Sequence, residues 1–232
     1  MSIFYRLNLT KMASQSLSWA RTAGAMKLKV VAFDCDGVLF DSRASNIAYY
    51  NHILAHFQRP PLSEAAVDYV HAHTVSESLA HIFPDHPDLE EVLAYCRSVD
   101  YQQFIPLMQP EPHLVEFLQF LRPRFGTAVA TNRTTTTRAV FEYHRLKNFF
   151  DIIVSAQDVA RPKPDPEAFW KICRHFDIAP AEALYFGDST VDQEFARNCG
   201  VKLVAFRNPA LAADYYLDSF AQAPELIRRL TE

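Results

Sequence analysis

Apolar and polar positions alternate along the chain with two different periods. From Lys27 onward, short unbroken apolar runs are separated by stretches with an apolar residue every three or four positions. A parallel sheet joined by crossover helices has this appearance in sequence. The run "KVVAF" at 29–33 predicts a first strand buried on both faces. Further strands are expected at 127–130, 152–155, 183–186 and 202–206. Leu114, Phe117, Leu118 and Leu121 fall at i, i+3, i+4 and i+7, which predicts a helix with one apolar stripe toward the sheet. Another helix is expected at 167–176.

Residues 43–107 break this alternation and carry helical periods only. Ile47, Tyr50, Leu54 and Phe57 form one stripe, and Leu89, Val92, Leu93, Cys96 and Val99 form another. Pro60, Pro61, Pro84 and Pro87 fall where those helices should stop or start. The expected fold is therefore α/β, a doubly wound, mostly parallel sheet with a helical domain inserted after its first strand. The core is expected at 26–42 and 108–232, the inserted cap domain at 43–107 and an N-terminal extension at 1–25.

Composition narrows the functional classes. In 232 residues, 49% are hydrophobic and 22% charged, enough apolar material for a sizeable core. A net charge of −4 gives no surface suited to nucleic acid or an anionic membrane. The longest apolar runs are strand-sized, too short to span a bilayer. Four cysteines, at 35, 96, 173 and 199, form no CxxC pair, which argues against zinc and fits lone thiols in a reducing cytoplasm. The first 25 residues hold Arg6, Lys11 and Arg21, and no acid precedes Asp34. A transit peptide has that composition. Met26 also opens "MKLKVVAFDCDG", a complete domain start, so an upstream-start extension is the preferred reading. The sequon at Asn8 is ascribed to chance.

Chemistry gathers where strands end. In open α/β sheets the ligand lies outside the carboxyl ends of the strands. Asp34 and Asp36 follow the first strand, Thr131 and Asn132 the second, Asp188 and Asp192 the fourth, and Lys163 sits in the rigid "RPKPDP" between the last two. Carboxylates crowded at one place repel unless a cation holds them. An oxygen donor set suits Mg²⁺ better than zinc. Asp188-Ser189-Thr190 also opens a helix, where Asp is favoured as an N-cap.

These segments resemble a known family. "FDCDGVLFDS", "AVATN", "KPDP" and "YFGDSTVD" are similar, in order, to the four motifs of the haloacid dehalogenase superfamily. The helical insert and the trailing "ADYYLDSFAQAPELIRRL" resemble its phosphoglycolate phosphatase branch. The resemblance implies a magnesium-dependent phosphatase acting on a small phosphate ester; the lone thiols and the charge lead to the expectation of a cytoplasmic protein without nucleic-acid or membrane partners. Asp34 would be the nucleophile, and Asp36 the general acid and then base. Thr131, Asn132 and Lys163 would hold the phosphate. The Asp34 carboxylate, the Asp36 backbone carbonyl and Asp188 would bind Mg²⁺, with Asp192 behind them orienting waters or Lys163. The family's dehalogenases lack the second acid, so Asp36 favours the phosphatase reading. A sugar-phosphate mutase and a non-catalytic binding protein are the alternatives.

Other residues read less distinctly. Arg133 is either a contact for an anionic end of the substrate or a surface residue. His52, His56, His71, His73, His81 and His86 of the insert read as surface or helix-packing residues, and Cys35 as pointing into the core. Val38 replaces the threonine that many members carry after the glycine. "QPEPHLVEFL" lacks the glycine usual in the family before this helix, so an unusual turn is expected there. No nucleotide-binding glycine loop, G-x-S-x-G or H-E-x-x-H motif occurs.

Overall fold

The computed structural model describes residues 26–72 and 75–232; the expected extension at 1–25 lies outside them, as do the side chains of His71 and His73. The six strands β1 (Val30–Phe33), β4 (Gly126–Ala130), β5 (Ile152–Val154), β6 (Ala183–Gly187), β7 (Lys202–Phe206) and β8 (Tyr215–Leu217) form one sheet in the order β5-β4-β1-β6-β7-β8. Every pairing in it is parallel. β1 is central: Val30 is in register with Gly126 of β4 and Ala183 of β6. All five expected strands are present within a residue of the expected ends. A two-residue ribbon of β2 (Phe40–Asp41) and β3 (Gln109–Pro110), antiparallel, was not expected.

The strands are continuous apolar runs because both faces of the sheet are covered. Val31 and Phe33 of β1 join one buried cluster with Leu114, Phe117, Leu118 and Leu121 of α5 (Leu114–Leu121) and with Ile227 of α9 (Ala223–Thr231). Val30 and Ala32 point the other way. They join Phe169 and Ile172 of α7 (Glu167–Phe176) and Phe195 of α8 (Thr190–Cys199). Period-two alternation on a central strand thus serves two cores, and the fold is the expected doubly wound α/β sheet with a helical insertion.

Between β2 and β3 lie α1 (Arg43–His56), α2 (Glu64–Ala72), α3 (Val75–Ile82), α4 (Leu89–Ser98) and a 3-10 segment, Tyr101–Leu107. Tyr50, Ile53, Leu54, Val70, Leu79, Phe83 and Val92 form a third buried cluster of their own. Leu89, read as part of the apolar stripe, is exposed at the helix start. His56 stacks on Tyr95 and His81 on Tyr69, which accords with helix-packing histidines. Among the described residues, no helix is long and apolar enough to cross a membrane.

The turn before α5 is unusual, as the missing glycine implied. His113 is its N-cap residue with φ 64° and ψ 9°, a left-handed conformation that glycine adopts at little cost and histidine does not.

Candidate active site

The carboxyl ends of β1, β4 and β6 converge on one charged cluster. Asp34 follows β1, and its backbone N–H donates to the Phe186 carbonyl at 2.9 Å, which prolongs the sheet pairing up to the site. The chain then turns sharply through Gly37, where φ is 79°. A Cβ on Gly37 would run into the carboxylate of Asp188, so glycine is needed both for the turn and for the approach of the two loops. Cys35 points into the core as expected, and burial pushes its thiol well above the ordinary range.

Lys163 is the only cation at the centre of the cluster among the described residues. Its side chain is 3% exposed, with Nζ 2.8 Å from Asp34 Oδ1 and 2.8 Å from Asp192 Oδ1. The ammonium also donates to the Tyr185 hydroxyl at 3.0 Å. Burial alone would discharge it, but Asp192 and Asp34 hold its pKa above the usual value. Asn132 fixes the loop that carries it. The Asn132 Nδ2 donates to the Lys163 carbonyl and its Oδ1 accepts from the Lys163 N–H, both at 2.9 Å. Thr131 is buried at the end of β4, and its hydroxyl accepts from the Arg133 N–H at 3.0 Å.

The acids divide into two kinds. Asp192 is fully buried, and protein groups engage both its oxygens. Oδ1 takes Lys163 and the Tyr185 hydroxyl at 2.7 Å; Oδ2 takes the N–H groups of Asp188 and Ser189 and the Ser189 hydroxyl at 2.6 Å. Although burial opposes it, Lys163 and these hydrogen bonds hold its carboxyl below the ordinary range. Asp34 and Asp188 move the other way. Burial, with neighbouring carboxylates adding to it and Lys163 opposing, pushes Asp34 up to about 7. Burial and the charges of Asp34 and Asp192 push Asp188 up to about 8. Carboxylate oxygens of Asp34, Asp188 and Asp192 lie within 4.8 Å of one another. Three acids around one ammonium leave negative charge uncompensated, and the donors are all hard oxygens, so the cluster fits a divalent cation such as Mg²⁺. With Asp192 occupied by protein groups, Asp34 and Asp188 are the acids able to face it.

The N-cap of α8 is Ser189, not Asp188, so the capping role weighed for Asp188 falls to its neighbour. Arg133 is not a surface residue: its side chain is 7% exposed and ion-paired to Asp36. Three residues of the site were not anticipated. Tyr185 carries the only side-chain polar group in "ALYFG", a signal that was available. Asn208, just past the end of β7, donates to the Asp188 carbonyl at 2.7 Å, and the strand-end rule would have found it. Tyr101, which packs on Arg133, lies at the far end of the helical insert, where no local pattern marks it.

Comparison with known proteins gives consistent results. The family model for haloacid dehalogenase-like hydrolases matches residues 31–206. The validoxylamine A 7'-phosphate phosphatase of Streptomyces hygroscopicus is 27% identical, over 88% of this chain and 95% of that one. A solved haloacid dehalogenase superfamily hydrolase, subfamily IA, variant 1, from Geobacter sulfurreducens is 38% identical. It covers 89% of this chain and all of its own, with a TM-score of 0.77. A protein described as a predicted phosphoglycolate phosphatase from Haemophilus somnus shares the fold at 21% identity, over 88% of this chain and 99% of its own, with a TM-score of 0.75. The chain belongs to the haloacid dehalogenase-like hydrolases.

Proposed function

We propose that this chain is a magnesium-dependent phosphatase that hydrolyses a small phosphate monoester through a phosphorylated Asp34. The reading is carried by one observation: Asp34, at the end of the central strand, is paired with buried Lys163 and crowded by Asp188, with Asp36 two residues on. A phosphatase relative that spans nearly the whole chain supports it.

In this reading an oxygen of Asp34 attacks phosphorus and the bond to the ester oxygen breaks, leaving an aspartyl phosphate. Asp36 gives its proton to the departing alcohol. Water then attacks phosphorus, Asp36 takes the water's proton, and the Asp34–phosphorus bond breaks to release phosphate and restore the carboxylate. Lys163 and Thr131 hold the phosphoryl oxygens where charge must be stabilised. Asn132 serves the phosphate by fixing the Lys163 loop. The Asp34 and Asp188 carboxylates and the Asp36 backbone carbonyl would hold Mg²⁺, which when bound would offset the repulsion between an anionic nucleophile and an anionic ester. Asp192 keeps Lys163 charged and aimed. Residues 43–107 act as a cap that limits the site to small esters and excludes bulk water. Four free thiols accord with a reducing cytoplasm.

The test is phosphate release from a panel of small phosphoesters, with Mg²⁺ or with EDTA, for the wild type and Asp34→Asn. Release that requires Mg²⁺ and drops at least about 1000-fold in the variant is expected, since the covalent route is lost. Isomerisation of sugar phosphates without phosphate release would turn the assignment to a mutase. A folded wild type with neither activity would overturn it.

A further inference from the structure

Arg207, immediately after β7, stands in a left-handed conformation with φ 52°. Glycine would adopt it at little cost, so an arginine held there directs attention to what its side chain does. Its Nε donates to the Asp218 carbonyl at 3.1 Å and its Nη1 to Glu111 Oε1 at 2.7 Å. Its backbone N–H donates to the Leu217 carbonyl at 2.8 Å. The Glu111 side chain is 3% exposed, and its Oε2 is buried without a hydrogen-bond partner. Burial pushes the Glu111 carboxyl above the ordinary range, Arg207 opposes this, and Asp41 adds to it. A buried acid with one oxygen orphaned is a poor source of stability, so the pair calls for another role.

The place of Glu111 in the chain supplies one. It directly follows β3, and its N–H donates to the carbonyl of Leu39, just before β2, at 3.0 Å. β2 leads into the helical insert, β3 leads out of it, and the two are paired. Both connections to residues 43–107 therefore run through one ribbon. On one side Phe40 packs on Phe141 and His144, with ring centres 5.7 and 5.0 Å away. On the other, Glu111 is tied to the end of β7, which lies beyond β6 from β1. The next residue, Asn208, holds the Asp188 carbonyl, so one turn grips both the ribbon after β1 and the loop after β6. An insert on one ribbon moves by bending the ribbon or by carrying it along. Apolar contacts such as those of Phe40 are non-directional and let a ribbon slide, whereas a short ion pair does not.

We propose that Arg207, through Glu111, is a positioning residue that pins the ribbon carrying the insert, and so limits how far the insert opens and how large an ester the site admits. The limit on ester size rests on the phosphatase reading; the pin does not.

The pin is tested by pulsed electron spin resonance on the metal-free full chain. Spin labels are placed on Glu90→Cys in α4 and Arg197→Cys in α8, both exposed, after serine replaces Cys96 and Cys173, the two cysteines that are not buried. Arg207→Met is expected to raise the share of longer insert-to-core distances about 10-fold, the factor one charge-assisted hydrogen bond supplies. Arg207→Lys should fall between it and wild type, because an ammonium cannot hold Glu111 and the Asp218 carbonyl in one planar fork. Glu111→Met breaks the same pair without stranding a buried charge, should open the insert equally, and carries the test if Arg207→Met does not fold. An unchanged distance distribution with a lowered Tm would overturn the pin in favour of a purely structural pair. For ester size, kcat/KM relative to wild type is compared across phosphate esters of rising leaving-group bulk. In Glu111→Met this ratio should be at least about fivefold higher for the bulkiest ester than for the smallest. Equal losses on all esters would overturn the size limit. A wild type silent on every ester would remove the phosphatase reading and the size limit with it, while the distances still decide the pin.

Discussion

Replacing Lys163 by methionine tests the electrostatic design of the site most directly. Methionine keeps the length and packing of the side chain and removes only the charge. The ammonium lies 2.8 Å from an oxygen of Asp34 and 2.8 Å from one of Asp192, with 3% of the side chain exposed. Without it, two carboxylates with oxygens within 4.8 Å of each other face one another in a buried site. At an effective dielectric of roughly 20, two such charges repel by about 3 kcal/mol. Breaking buried pairs by removing one partner costs about 3–5 kcal/mol in general. The two figures agree, so Lys163→Met is expected to lose about 3–5 kcal/mol at pH 8, and about 10 °C in Tm for a chain of this size. Urea unfolding followed by circular dichroism in EDTA, at pH 8 and pH 5, measures it. Adding Asp192→Asn to the variant removes one stranded charge and should recover at least half of the loss. Lowering the pH should recover part of it as well, because a stranded carboxylate can take a proton. A single variant within 1 kcal/mol of wild type at pH 8, or a double variant no more stable than the single, would refute the reasoning.

Other expectations follow from the same coordinates. The values of about 7 for Asp34 and about 8 for Asp188 lie above the ordinary 3.8. Between about pH 4 and pH 8 the folded chain therefore binds more protons than the unfolded one, and metal-free stability should fall as pH rises through that window. Mg²⁺ should raise Tm more at pH 8.5 than at pH 5.5; an equal rise at both would contradict this account. His113→Gly relieves a left-handed φ of 64° at an exposed side chain and should stabilise the fold by about 0.5–1 kcal/mol with kcat unchanged. A less stable glycine variant, seen by thermal melting, would show that the histidine side chain holds that turn.

Sequence reasoning succeeded where a local pattern coincides with a global constraint. A strand buried on both faces must be apolar throughout, so "KVVAF" and "KLVAF" could be placed before any partner was known. Chain reversal at strand ends brings polar residues to one edge, which is how Asp34, Lys163, Asp188 and Asp192 came to be grouped. It failed where the deciding partner is remote. The ribbon of Phe40–Asp41 with Gln109–Pro110 has two residues per strand and no period to detect. Arg133 reads as an ordinary charged residue until Asp36 and Tyr101, distant in the chain, are seen to enclose it. The choice between Asp188 and Ser189 as N-cap depended on one residue of register, which two adjacent favourable caps leave undecided.

The central place of β1 has a consequence for how the molecule is made. Its Val30 pairs with Gly126 on one side and Ala183 on the other, so the earliest-made strand of the described sheet is enclosed only once β6 is made. At translation rates of roughly 5–20 residues per second, the roughly 150 residues from Val30 to Ala183 take about 8–30 s to make. Until β4 is made both edges of this apolar strand are open, and until β6 is made one still is, the condition under which nascent chains recruit chaperones or aggregate. The insert between β2 and β3 has its own apolar cluster and can condense meanwhile. Asp188 and Asp192 emerge only after β6, which closes the second edge of β1. Enclosure of the vulnerable strand and assembly of the charged site are therefore completed by the same stretch of chain, and no shorter nascent fragment holds the full acid set.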